Sequence, residues 1–354
     1  VLDVRVMRGA DVIADGIVEV EAPVRKVVLP DHHMPAILIE PFQHFERLLS
    51  ACDQLAPLAT AIVCPHDALS LGGAMAARGR NLIAPVLVGA RALIEKAAAA
   101  IGADIGGLQI VDAASDEAAA EEAVNLVRQG RARAIMKGDL HTDVLMRAVL
   151  ADAGGLKTGR RVSHAFVLDV PGLDHLLLIS DAAINIAPNL EEKAGIVQNA
   201  IELAHALGIE LPRVGVLSAV ETVNPAIPST VDAALLAKMA ERGQIVGGLV
   251  DGPLAMDNAV DLEAARTKGI TSVVAGRADV LIVPNLEAGN ILVKEMTFLA
   301  HADAAGLVIG ARAPVMLTSR ADDERARVVS AALAILYEHR QRTGEPSPVS
   351  QRGV

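Results

Sequence analysis

Ser319, Arg320, Asp322 and Asp323 fall within five positions of the segment LTSRADDERARV, residues 317 to 328. An apolar run stops just before them and a helix-like pattern starts just after, so these side chains sit on a turn from a strand into a helix. The first N–H groups of a helix have no partner inside it and favour an anion. Arg320 can meet a phosphate through two parallel charge-assisted hydrogen bonds, each worth on the order of 1.5 to 3 kcal/mol. Taken alone, a serine followed by two aspartates is equally an ordinary helix cap, and that reading stays open beside the first.

Three other segments carry polar groups directly after apolar runs. MKGDLHTDVLMRAVL, residues 136 to 150, sets Lys137, Gly138, His141 and Thr142 at a turn. Glycine admits a ligand close to the backbone, and lysine and hydroxyl groups bind phosphate or thioester oxygens. His141 by itself reads as a surface or capping histidine. DGPLAMDNA, residues 251 to 259, offers Asp251 after an apolar run and Asn258 at a helix start. PNLEAGNILVK, residues 284 to 294, places Asn290 and Lys294 one helical turn apart.

Several chemistries leave no trace. No GxGxxG follows a strand-like run, and neither GxxxxGK[ST] nor HExxH occurs. Cys52 and Cys64 are too few and too isolated for a disulfide framework or a CxxC metal site, and read as buried structural thiols in a reducing compartment. The adjacent His32 and His33 suit no zinc spacing, so no metal is expected.

The elements that position these residues follow from apolar runs such as TAIVCP (60 to 65), APVLVG (84 to 89), RAIMKG (133 to 138) and ADVLIVP (278 to 284). They are continuous rather than alternating, as strands buried on both faces are. Helix-like stretches lie between them; in SDEAAAEEAVNLVRQG, Ser115 suits an N-cap and Asp116 and Glu117 suit the helix dipole. The alternation predicts an α/β fold with mainly parallel sheets and a last helix from about residue 322 to 340. Residues 1 to 30 instead alternate as antiparallel strands do, 31 to 40 read as a linker, and 342 to 354 as a disordered tail.

At 354 residues the chain exceeds one small domain and fits two lobes with a cleft. A net charge of −11, 1% aromatic residues and no tryptophan argue against nucleic-acid partners. No run reaches the roughly 20 apolar residues of a bilayer span, which argues against a membrane protein and for the cytoplasm. The chain opens on Val1, so a preceding segment is expected.

MKGDLHTDVLMRAVL, LISDAAINIAPNLEEKAGIVQNAI, SAVETVNPAIPSTVDAALLAKM, VDGPLAMDN, PNLEAGNILVK and LTSRAD occur in an order that resembles the phosphate acetyl/butyryltransferase family, over about residues 40 to 341. The likeness is to the butyryl branch in particular. It implies two α/β/α lobes of isocitrate/isopropylmalate dehydrogenase-like architecture, 41–157 with 301–341 and an inserted 158–300, and a homodimer. It implies the reaction acyl-CoA + phosphate = acyl phosphate + CoA, acyl being acetyl or butyryl, with coenzyme A as substrate and no resident cofactor. Arg320 would hold the phosphoryl group, Ser319 would donate to the thiolate or oxyanion, and Asp322, with Asp323 second, would take the thiol proton. The aspartate that acetyltransferases carry seven residues after the serine is Ala326 here. Lys137, Gly138, His141, Thr142, Asp181, Asn185, Asp251, Asn258, Asn290 and Lys294 would bind substrate. The opening GIVEVEAPVRKV resembles the last strands of a MaoC-like hot-dog enoyl-CoA hydratase, joined to such transferases in some bacterial proteins. Two rival readings are a CoA-binding scaffold without transferase chemistry and a dehydrogenase of related architecture, which would need a metal-binding aspartate cluster absent from the sequence.

Overall fold

The computed structural model describes residues 2–8, 11–18, 36–40, 44–317 and 323–349. Three strands come first: β1 (Leu2–Arg8), β2 (Asp11–Val18) and β3 (Ala36–Glu40), in the antiparallel order β2-β1-β3. The stretch expected as a linker therefore ends in a strand, because AILIE is an apolar, isoleucine-rich run that pairs with β1.

The remainder alternates as expected. It runs α1 (His44–Cys52), β4 (Leu58–Val63), α2 (Ala68–Gly79), β5 (Ile83–Gly89), α3 (Arg91–Ile101), β6 (Gln109–Asp112), α4 (Asp116–Arg128), β7 (Ala134–Lys137) and α5 (Thr142–Val149). It continues with β8 (Ser163–Asp169), β9 (Leu177–Ser180), α6 (Leu190–Ala206), β10 (Arg213–Leu217), α7 (Pro228–Glu241), β11 (Leu249–Leu254), α8 (Met256–Val260), α9 (Leu262–Thr267), β12 (Val280–Ile282) and α10 (Leu286–Phe298). β13 (Asp303–Ile309), β14 (Val315–Met316) and α11 (Glu324–Thr343) complete it.

Helix starts follow local chemistry. Ser115 caps α4 through Ala118 N at 3.2 Å, as its sequence suggested. Asn189 and Glu192 form a reciprocal capping box on α6, a device worth about 1 kcal/mol.

One sheet of 11 strands carries everything after β3, in the order β11-β10-β12-β9-β8-β13-β14-β7-β4-β5-β6. On one side β14, β7, β4, β5 and β6 run parallel, and on the other β9, β12, β10 and β11 do. Between them β8 and β13 pair antiparallel with each other and with their outer neighbours. The sheet is mostly parallel, as expected, with a reversal at its centre. Its cause is connection length: β8 to β9 and β13 to β14 are joined by a few residues each, too short for the crossover of a dozen or more that parallel pairing needs. Three reversals leave the two parallel groups with their carboxyl ends at opposite ends of the sheet.

α11 is the central buried helix. Val329, Ala331, Ala332, Leu333, Ala334 and Leu336 are all fully enclosed, with α1, α2, α6, β13 and β14 around them. A helix apolar on every side must lie inside, and each such leucine contributes roughly 1.5 to 3 kcal/mol. The tail expected to be disordered is in part docked. α11 extends to Thr343 and ends on Gly344 at φ 70°. Ser347 Oγ then donates to Ala206 O at 2.6 Å, and Val349 packs against the core, because a hydroxyl and a valine reach the end of α6.

Candidate active site

β14 ends on Met316 opposite Met136, so the chains leave the sheet side by side at Leu317 and Lys137. Ser319, Arg320 and Asp322 lie outside the described residues. The two ends of that segment are fixed. Leu317 borders a cavity of about 360 Å³, and Asp323, the N-cap of α11, borders the same cavity.

The cavity wall is one face of α10. Asn290, Val293, Lys294 and Thr297 line it, and their spacing of three, four and seven residues is that of a single helical stripe. Phe166 of β8, Gly306 of β13 and Phe45 of α1 line the cavity as well. Asn290 is also tied down, its Nδ2 donating to Ala182 O at 3.4 Å. Phe45 is held from the strand side, since its N–H donates to Asp169 Oδ2 at 3.2 Å. Burial pushes the Asp169 carboxyl above the usual carboxylate range, and charge from His44 and the bond from Phe45 work against it. Arg325 anchors the first turn of α11 to Glu46 and to Asp303, both at 3.2 Å. Asp323 Oδ1 accepts from Ala326 N at 2.8 Å, so one of its oxygens serves the helix.

The other expected residues divide by position. Lys137 and Gly138 lie at the edge where the 318–322 segment begins. Lys137 is buried and its Nζ donates to Gly138 O at 3.2 Å. Gly138 is a close approach of backbone to backbone: a Cβ there would stand 2.4 Å from Val63 O and from Cys64 O. His141 and Thr142 are exposed at the start of α5, and His141 makes no side-chain cap, contrary to one reading of it.

Asp181 and Asn185 lie at the opposite end of the sheet, because β9 runs against β8 and ends level with Ala165. Asp181 is a buried hub. Its Oδ1 accepts from Ala183 N and Ile184 N at 2.9 Å, and its Oδ2 from His164 N at 3.1 Å and from Asn185 Nδ2. Asn185 in turn accepts from Arg161 Nε at 2.6 Å. Asp251 and Asn258 sit farther off, at the edge strand β11 and on α8. Asn258 Nδ2 faces Glu221 at 3.4 Å. The structure thus joins Asn290, Lys294 and Asp323 in one cavity, sets Lys137 and Gly138 at the strand end beside Leu317, puts Asp181 behind the first turn of α10, and leaves Asp251 and Asn258 farther off.

Sequence reasoning missed Phe45, Phe166, Thr297 and Arg325. Only Thr297 had a signal, the continuation of the Asn290 and Lys294 stripe along PNLEAGNILVKEMT.

A family model described as "Phosphate acetyl/butaryl transferase" matches residues 118–335. A phosphate acetyltransferase of Rhizobium meliloti is 56% identical over 305 residues, 86% of this chain and 96% of that protein. A phosphate butyryltransferase of Clostridium beijerinckii is 43% identical over 300 residues, 85% of this chain and 99% of that one. Among solved structures, a branched-chain phosphotransacylase from Enterococcus faecalis V583 is similar at a TM-score of 0.70 and 30% identity, covering 80% of this chain and 99% of that one.

Proposed function

The chain belongs to the phosphate acetyl/butyryltransferase family and is an acyltransferase, and from that premise we infer that it exchanges an acyl group between coenzyme A and inorganic phosphate in the α10 cavity. The observation that carries the reading is the convergence of Asn290, Lys294 and Asp323 on a cavity that Leu317 also borders, where the LTSRADDER segment starts. In the direction of thioester formation, the thiol of coenzyme A gives its proton to a carboxylate and its sulfur bonds to the carbonyl carbon of the acyl phosphate. The resulting oxyanion collapses, the bond between the carbonyl carbon and the bridging oxygen breaks, and phosphate leaves with that oxygen and both electrons. Arg320 and Lys294 hold the phosphoryl oxygens, Ser319 and Asn290 donate to the developing negative charge, and no acyl-enzyme forms.

Asp322 is the base. Asp323 is the weaker choice because its Oδ1 already caps α11. A carboxylate deprotonates a thiol of ordinary pKa near 8.5 only if nearby positive charge lowers that value, and Arg320 together with the helix N-terminus supplies it. Lys137, Gly138, His141 and Thr142 approach the substrate from the β7 strand end beside Leu317. Asp181, Asn185, Asp251 and Asn258 act, in this reading, through the framework.

The motifs resemble the butyryl branch, yet the acetyltransferase relative is 56% identical and the butyryltransferase 43%, so acetyl-CoA comes first. The strand groups on either side of the central reversal are the two lobes, 41–157 with 301–341 and 158–300. β1 and β2, within residues 1–30, are the end of a hydratase-like domain. Ile186, Ile291, Phe298 and Leu299 are each more than 60% exposed, and they supply an apolar face for a homodimer. No helix among the described residues is long and apolar enough to cross a membrane, and both cysteines are unpaired, which supports a cytoplasmic enzyme.

The test is phosphate-dependent release of free coenzyme A from acetyl-CoA and butyryl-CoA, for the wild-type chain and for Arg320→Ala and Asp322→Asn. Turnover in the wild type that collapses in both variants is expected. Binding of coenzyme A by a folded protein without phosphate-dependent turnover would overturn the transferase reading and leave the scaffold.

A further inference from the structure

At the carboxyl ends of β4 and β5 three side chains converge that the transfer chemistry above leaves unused. Cys64 directly follows β4, His66 comes two residues later, and Asp116 opens α4. Their ligand atoms all lie within 4.8 Å of one another. His66 N donates to Cys64 O at 2.8 Å, closing a tight turn, and Cys64 takes φ 51°, a conformation uncommon outside glycine.

Two details point to a ligand. Cys64 Sγ donates to Asp116 Oδ1 at 3.5 Å, so a single proton lies between a sulfur and a carboxylate oxygen. His66 Nε2 is buried and makes no hydrogen bond within the protein, an arrangement that is costly for an imidazole nitrogen. The ring is deliberately accommodated: a Cβ at position 89 would stand 2.6 Å from that nitrogen, so only Gly89 admits it. Asp139, whose N–H donates to Cys64 O at 2.7 Å, brings further negative charge to the same turn.

We propose that Cys64, His66 and Asp116 form a site for a divalent cation of the zinc class, with thiolate, imidazole Nε2 and carboxylate as ligands. The cation takes the place of the shared proton and gives His66 Nε2 its partner. Three protein ligands leave a fourth position for water in a tetrahedral shell. Thiolate and imidazole select Zn²⁺ over the hard cations Mg²⁺ and Ca²⁺, which prefer oxygen ligands alone. As the metal–sulfur bond forms, the thiol proton passes to solvent, one proton per ion. The site departs from the sequence reading, in which Cys64 was a structural thiol and no metal was expected. It stands independently of the transferase reading.

The test uses the full chain, freed of metal by a chelator and titrated with Co²⁺. The expected result is one Co²⁺ per chain with a thiolate-to-cobalt charge-transfer absorption in the near ultraviolet, abolished by Zn²⁺ and unchanged by excess Mg²⁺. Cys64→Ser removes the absorption, whereas Cys52→Ser retains it. His66→Gln and Asp116→Asn each weaken Co²⁺ binding by at least about 10-fold. Circular dichroism checks the fold of every variant, and His66→Gln, at a partly exposed position, carries the test if Cys64→Ser does not fold. Absence of the absorption in the wild type, its persistence in folded Cys64→Ser, or wild-type affinity in His66→Gln would overturn the proposal.

Discussion

Replacing Asp181 by alanine separates a ligand from a strut. Its carboxylate accepts four hydrogen bonds, of which those from His164 N and Asn185 Nδ2 are buried and those from Ala183 N and Ile184 N partly so. In Asp181→Ala the Asn185 amide keeps Val162 O at 3.0 Å, and water can reach the two turn amides. His164 N is left buried without an acceptor, at a cost of about 1 to 3 kcal/mol, and the lost charge-assisted bonds add to it. The total comes to about 3 kcal/mol, a large share of the roughly 5 to 15 kcal/mol of a typical domain. Asp181→Asn keeps one carbonyl oxygen for Ala183 N and Ile184 N and should lose less. Urea unfolding reads the difference as a shift in midpoint at constant slope. Steady-state kinetics on the folded fraction should show only a modest loss, transmitted through Ala182 O to Asn290. A stability change within about 0.5 kcal/mol, the range of ordinary surface substitutions, together with a KM raised tenfold or more would refute this reasoning and make Asp181 a substrate ligand.

Three further outcomes are expected. Gly138→Ala drives a Cβ against two backbone oxygens that cannot turn aside, and should lower the unfolding free energy by about 1 to 3 kcal/mol or more, read as a lower urea midpoint; an unchanged midpoint would show that β4 and β7 part freely. Lys294→Ala removes one charge-assisted contact worth about 1.5 to 3 kcal/mol, so kcat/KM for phosphate should fall roughly 10- to 100-fold, with partial rescue by Lys294→Arg. Burial pushes the His164 imidazole down to about 4, against an ordinary value near 6.5. The unfolded chain therefore binds a proton between those values that the folded chain refuses. Its stability contribution is complete above about pH 6.5 and declines as pH falls toward 4, and His164→Leu should flatten the urea midpoint across that window.

Strands buried on both faces announced themselves as continuous apolar runs, and Ser115 and Asp323 stood where caps must stand. β8 did not: SHAFVLD begins with two polar residues, and its direction is set by β13, which lies far along the chain. That reversal sends Asp181 and Asn185 to the end of the sheet away from Lys137, which no local pattern reveals. Asn290 and Lys294 were legible because one helix face fixes both. Phe45 and Phe166 were not, since each meets the cavity only through tertiary packing. His66 is one of ten histidines and has no metal-ligand spacing in the sequence; only the turn at Cys64 brings it to a sulfur.

β14 is two residues long, and its partners Val315 and Ile135 stand about 180 residues apart in the chain. Closing a flexible loop of that length would cost roughly 5 kcal/mol of entropy, far more than one short ladder returns. The intervening strands must therefore assemble first and carry the two ends together. As the polypeptide emerges during synthesis, β7 waits with one edge bare while the whole of residues 138–314 is made. The strand end that leads toward α11 is then among the last to find its place, so the cavity that Leu317 and Asp323 border is complete only when the fold is.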